Sequence, residues 1–131
     1  MTTMATARSW LFVPGDRLER FAKAAASGAD RVILDLEDAV AQEMKLQARD
    51  SVAAALATNP AWVIRVNSPD TPWFDDDLAM CRDGAAAAVL VPKAEDPALL
   101  REVVARLGGH KIAVLALIET AATKAADALG A

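Results

Sequence analysis

Five short apolar runs punctuate this chain at near-regular intervals, and the segments between them carry apolar residues at helical spacing. The runs are "SWLFV" (9–13), "RVILDL" (31–36), "AWVIRVN" (61–67), "AAAVLVP" (86–92) and "KIAVLALI" (111–118). They recur every ~25–30 residues, the length of one strand–helix unit. A strand that is apolar along its whole length, not at every second residue, is buried on both faces. Such strands alternating with helices imply an α/β fold with a parallel sheet covered by its crossover helices.

The intervening segments read as helices with recognisable ends. Asp16 is placed to cap the first, which turns Leu18, Phe21, Ala22 and Ala25 to one face and stops at Gly28. The second covers roughly 44–57, with Met44, Ala48, Val52, Ala55 and Leu56 inward. A shorter one follows "TPWFDDD" and carries Leu78 and Cys81 towards Gly84. Asp96-Pro97 opens the fourth, which shows Leu100, Val103, Val104 and Leu107. The last begins near Thr120. No linker or charge block divides residues 1–131, so one domain is expected.

Composition removes several classes of function. The longest apolar runs are strand-sized, far short of a bilayer span. The start "MTTMATARSW" lacks the apolar stretch of a secretory signal. A net charge of −4 with scattered Lys and Arg gives no basic stripe for nucleic acid. The single Cys81 cannot form an intramolecular disulfide, which fits a reducing cytoplasm. No G-x-G-x-x-G or P-loop follows the first run, because "FVPGDR" has one glycine.

Polar residues gather where the apolar runs end. The first run ends in "FVPGD", and alternation in the second places Asp35 and Glu37 on one face with Leu36 opposite. The third run places Arg65 and Asn67 together, the fourth ends in Pro92-Lys93, and the fifth ends in "LIET" with Glu119 near its tip. Ligand sites of parallel α/β folds lie at the carboxyl ends of the strands, in barrels and open sheets alike. Acids there suit a hard cation such as Mg²⁺, which takes one or two carboxylates plus water and substrate. An arginine beside them can grip a substrate carboxylate in a two-pronged fork.

"LFVPGDR" (11–17), "DLEDAV" (35–40), "IRVN" (64–67), "VPKAED" (91–96) and "LIET" (117–120) stand in this order. In order and spacing the chain resembles the citrate lyase β-subunit (CitE-like) family of the HpcH/HpaI aldolase superfamily, from Arg8 to Leu129. The resemblance implies a (β/α) TIM-barrel fold and Mg²⁺-dependent carbon–carbon lyase chemistry on an acyl-CoA thioester. Citryl-CoA or malyl-CoA would give acetyl-CoA and a 2-oxoacid. It makes Glu119 the metal ligand and Arg65 the binder of the oxoacid carboxylate. Asp35 and Glu37 would lie beside the metal and hold its waters. Phe12, Pro14 and Gly15 would line the pocket near the thioester; Asn67 and Lys93, which converge there at their strand ends, are further candidate substrate-binding residues. The chain carries the first five βα units of such a barrel, and no G-x-E-D-F-like motif supplies a second metal carboxylate. Five strands cannot close an eight-stranded barrel, so free edges on the first and fifth strands favour a homo-oligomer.

Each residue also admits a structural reading. Asp35 and Glu37 could solvate a strand end and cap the next turn, and Asp38, of opposite parity, suits a local turn role. Arg65, flanked by Ile64 and Val66, needs a partner and could pair with Asp35 or Glu37. Glu119 could serve a helix dipole. Arg8, Arg17, Lys23 and His110 read as surface residues, Cys81 as core, and Trp62 and Trp73 as packing anchors. Competing expectations are a CoA-independent 2-oxoacid aldolase and a non-catalytic fragment or interaction protein of the same fold.

Overall fold

The computed structural model describes residues 8–108 and 112–117. Five parallel strands, β1 (Trp10–Pro14), β2 (Arg31–Asp35), β3 (Val63–Arg65), β4 (Ala88–Pro92) and β5 (Ala113–Leu117), form one sheet in the order β1-β2-β3-β4-β5. Helices α1 (Phe21–Ala25), α2 (Lys45–Thr58), α3 (Phe74–Asp83) and α4 (Pro97–Arg106) connect them. Each strand pairs with the next in sequence, and no strand order reverses. With right-handed crossovers, that progression sends every helix to the same side of the sheet.

The two clusters of buried residues confirm this asymmetry. The larger unites Val32, Leu34, Ile64, Val89 and Val91 with the inward faces of all four helices. The smaller holds only strand residues, Ile33, Val63, Ala88 and Leu90. A doubly wound sheet would carry helices on both faces; a sheet with helices outside and strand side chains alone inside is a barrel wall. On the inner face Pro14, Asp35, Arg65, Leu90 and Leu115 stand at one level, set side by side by the strand register, and β4 and β5 run two residues further.

Helix α2 matches its sequence pattern: Ala48, Val52, Ala55 and Leu56 are buried and Met44 packs against them. In α4, Asp96 caps by accepting from the Ala98 N–H at 2.9 Å, with Pro97 in the first turn. Two details differ from expectation. Asp16 caps no helix, because residues Leu18–Arg20 form a 3-10 turn before α1 begins at Phe21. That tighter turn breaks the 3.6-residue period, so Leu18 is 53% exposed and the buried pair is Phe21 and Ala24, not Ala22 and Ala25. Val104 also faces outward, while Val103 and Leu107 take the core positions. Helix α3 starts at Phe74, within "FDDD", and buries Asp77 beside Leu78 and Cys81. Trp62 is a packing anchor as expected, its ring 6.0 Å from that of Phe21. The segment expected as a last helix lies outside the described residues.

Candidate functional site

Asp35 ends β2 on the inner face, with 1% of its surface exposed. Its strand neighbour at the same level is Arg65, the last residue of β3. Arg65 donates from Nε to Asp35 Oδ1 at 2.8 Å and from Nη2 to Oδ2 at 2.5 Å. The same carboxylate accepts the backbone N–H groups of Glu37 at 2.8 Å and Ala39 at 3.1 Å. Asp35 thus caps the turn that follows β2, and Asp38 sits in that turn with an exposed side chain, as its parity suggested. Asp35 and Arg65 form the ion pair of their structural reading, and the pair stands at the strand exit. Among the described residues, the remaining nitrogen Nη1 of Arg65 has no hydrogen-bond partner. Its guanidinium lies 4.8 Å from the centre of the Phe12 ring.

Glu37 extends the acid row, with Oε1 3.9 Å from Arg65 Nε. That oxygen is buried and accepts no hydrogen bond among the described residues. Burial lifts the Glu37 carboxyl above its usual 4.5, the contact with Asp38 lifts it further, and Arg65 opposes the rise only in part. For Arg65, burial alone would lower the pKa, but the hydrogen bond and charge of Asp35, with Glu37 and Asp38, overcome it and raise the net value. The guanidinium therefore stays charged.

A second layer of polar groups supports these exits. Lys45, at the start of α2, is 9% exposed and donates to the carbonyls of Leu36 at 2.8 Å and Glu37 at 2.6 Å. Its ammonium lies 5.5 Å from the centre of the Trp73 ring. One turn later, Arg49 bonds the buried Asp77 at 2.9 Å. Asp77 in turn accepts from the Asn67 backbone at 3.0 Å and its side-chain amide at 2.7 Å. Asn67 thus stands at the β3 exit as expected, with its amide engaged by α3. Lys45, Arg49 and Asp77 escaped the sequence reading. Lys45 and Asp77 do leave a signal: each stands on the apolar stripe of its helix, beside Ala48–Val52 and Leu78–Cys81 respectively, where a charge needs a reason.

The β1 exit packs directly against this layer. The Gly15 N–H donates to the Asp35 carbonyl at 2.7 Å. A Cβ on Gly15 would stand 2.8 Å from that oxygen and 3.2 Å from Val52, so only glycine permits the approach. Phe12 is 42% exposed and Pro14 is level with Asp35. Lys93 occupies the turn after β4 with positive φ (56°) and an exposed side chain; among the described residues it makes no hydrogen bond or ion pair with Asp35 or Arg65. Glu119 and His110 lie outside the described residues.

The donor set suits a hard cation only through water and further ligands. Among the described residues, no three His, Cys, Asp or Glu side chains converge closely enough to hold a metal. Asp35 is committed to Arg65 and two backbone donors. Glu37 retains a buried oxygen without a hydrogen bond, and such an oxygen accepts readily from a metal-bound water. The described residues therefore fit a Mg²⁺ centre whose direct carboxylate comes from elsewhere.

Comparison with known proteins points the same way. The model of the family described as HpcH/HpaI aldolase/citrate lyase matches residues 8–126. A citrate lyase subunit beta-like protein of Mycobacterium tuberculosis is 42% identical over 121 residues, 92% of this chain and 42% of that protein. A (3S)-malyl-CoA thioesterase of Cereibacter sphaeroides is 40% identical over 90 residues, 66% of this chain and 32% of the enzyme. Among solved structures, the CitE protein of M. tuberculosis in complex with magnesium, acetoacetate and coenzyme A superposes with a TM-score of 0.71 at 42% identity. That match covers 88% of this chain and 40% of the other. The chain spans less than half the length of these relatives.

Proposed function

Because the chain belongs to the HpcH/HpaI aldolase/citrate lyase family, we propose that its strand exits form part of a Mg²⁺-dependent carbon–carbon lyase site. The substrate is an acyl-CoA of the citryl-CoA or malyl-CoA type, and the products are acetyl-CoA and a 2-oxoacid. The observation that carries this reading is the Arg65 guanidinium, charged, held along one edge by two bonds to Asp35 and covered by Phe12.

Asp35 occupies the Nε and Nη2 edge of Arg65, so the guanidinium cannot swing and its Nη1 edge addresses the carboxylate of the oxoacid. The Phe12 face limits water access to that charge and strengthens its pull on a substrate carboxylate. Glu37 would accept a hydrogen bond from a metal-bound water at Oε1, with Asp35 beside it. Glu119 is the proposed direct metal ligand, and Phe12, Pro14, Gly15, Asn67 and Lys93 line the cleft. When bound there, Mg²⁺ supplies Lewis-acid polarisation of the 2-oxo oxygen and stabilises the enolate charge that develops as the bond breaks.

A second reading, hydrolysis of the thioester, is supported by the likeness to (3S)-malyl-CoA thioesterase. Analysis of the products from malyl-CoA separates the two: acetyl-CoA with glyoxylate indicates the lyase, free CoA with malate the thioesterase. The binding test is calorimetric titration with oxaloacetate, with and without Mg²⁺. Binding should require Mg²⁺ and fall about a hundredfold or more in Arg65→Ala and Glu119→Gln. Binding that ignores Mg²⁺ and survives Arg65→Ala overturns the proposal. The cytoplasm and a homo-oligomeric assembly complete the proposed setting; no described helix is long and apolar enough to cross a membrane.

A further inference from the structure

We propose that Lys45 is a positioning residue, which aims the Glu37 carboxylate beside Arg65 by clamping the carbonyls of Leu36 and Glu37. The inference deepens the reading of the strand exits as an oxoacid site and rests on it for its functional half.

Lysine is a poor choice for this position on ordinary grounds. It begins α2, where the helix dipole disfavours a positive charge. Immobilising its long side chain costs up to about 2 kcal/mol of rotamer freedom. The charges of Asp35, Glu37, Asp38 and Asp77 all lie near enough to be felt. Yet the ammonium donates to two backbone carbonyls, Leu36 O at 2.8 Å and Glu37 O at 2.6 Å. A lysine present for charge balance alone would contact a carboxylate.

The carbonyl bonds complete a set. The Leu36 N–H donates to the Arg65 carbonyl at 2.9 Å, and the Glu37 N–H donates to the Asp35 carboxylate at 2.8 Å. Lys45 holds the two oxygens that follow, with the Val40 N–H adding a bond to Glu37 O at 3.1 Å. Both peptide groups flanking the Glu37 Cα are thereby fixed, which fixes the direction of its side chain. That matters because Oε1 of Glu37, 3.9 Å from Arg65, is held by no hydrogen bond among the described residues. Its aim comes from the backbone. Trp73, whose carbonyl accepts from Arg49 at 3.4 Å, covers the ammonium and excludes water from the clamp.

The test measures amide hydrogen exchange and oxaloacetate binding in the presence of Mg²⁺, for wild type, Lys45→Met, Lys45→Arg and Lys45→Met with Glu37→Gln. In Lys45→Met the Glu37 and Ala39 amides should exchange about tenfold faster while Ile64 is unchanged. Oxaloacetate should bind roughly tenfold more weakly, with partial rescue by arginine. Glu37→Gln should then add no further loss, since a misaimed carboxylate has already been forfeited. Unchanged exchange at Glu37 overturns the inference, as do losses that multiply. Should wild type fail to bind oxaloacetate, the lyase reading falls and exchange alone decides the clamp. If Lys45→Met does not fold, Lys45→Gln carries the same measurements.

Discussion

The Asp35–Arg65 pair is nearly dry, with side chains 1% and 12% exposed, so each charge depends on the other. Asp35→Asn leaves the guanidinium without its counter-charge and should cost about 3–5 kcal/mol, read as a lower denaturation midpoint in urea. Replacing both, as Asp35→Leu with Arg65→Met, should restore much of that stability while abolishing oxaloacetate binding. Glu37 behaves in the opposite sense. Burial and Asp38 raise its folded pKa above 4.5, so the folded chain holds that proton more tightly than the unfolded chain. Its contribution is present below the unfolded pKa and is lost as pH rises through the raised folded value. Glu37→Gln should therefore melt higher than wild type near neutral pH, with the gap closing below about pH 4. At this scale the strand parity of Asp35, Glu37 and Arg65 was legible, because alternation assigns faces without knowing the partners. Their mutual pairing was one of several options, and only the register decided it. Lys45 and Asp77 were hidden in helices read for their apolar residues.

Helix α2 was legible over nearly its whole length because fourteen residues give the 3.6 period room to declare itself. The first helix was not, since a 3-10 turn and five helical residues are too short to distinguish their periods. The corrected face makes a direct prediction. Phe21→Ala should destabilise by about 3–5 kcal/mol, whereas Leu18→Ala should lie within about 0.5 kcal/mol of wild type. Thermal melts of the two variants check it, and equal losses would restore the longer helix. Close approach between elements is equally invisible in a pattern of apolar letters. Gly84 ends α3 with ordinary backbone angles, and its reason lies elsewhere: a Cβ would come within 2.9 Å of Leu56 on α2. Gly15→Ala presses on a backbone oxygen, which cannot rotate away, and should cost about 1–3 kcal/mol by denaturant titration.

For the molecule as a whole, the parallel sheet and covering helices followed from the alternation of runs, while the one-sided placement of the helices needed the strand order. Among the described residues β1 pairs only with β2, and beside it runs a groove of about 350 Å³ lined by Leu11, Phe12, Pro14, Arg20 and Lys23. Leu11 is exposed on that margin. A charge there discourages strand addition, so Leu11→Lys should lower self-association at a given concentration, as sedimentation velocity would report. The sequential strand order has a different consequence, in time and not in space. Every strand is laid beside the one made just before it, so no pairing waits for a distant stretch of chain. Contact order stays low for a parallel sheet, because each pairing waits for the closure of one crossover alone. A ribosome emitting this chain at about 5–20 residues per second could complete each strand–helix unit on the template of the last. The wall of the barrel would then be raised course by course, with the Asp35–Arg65 pair closed as soon as β3 emerged.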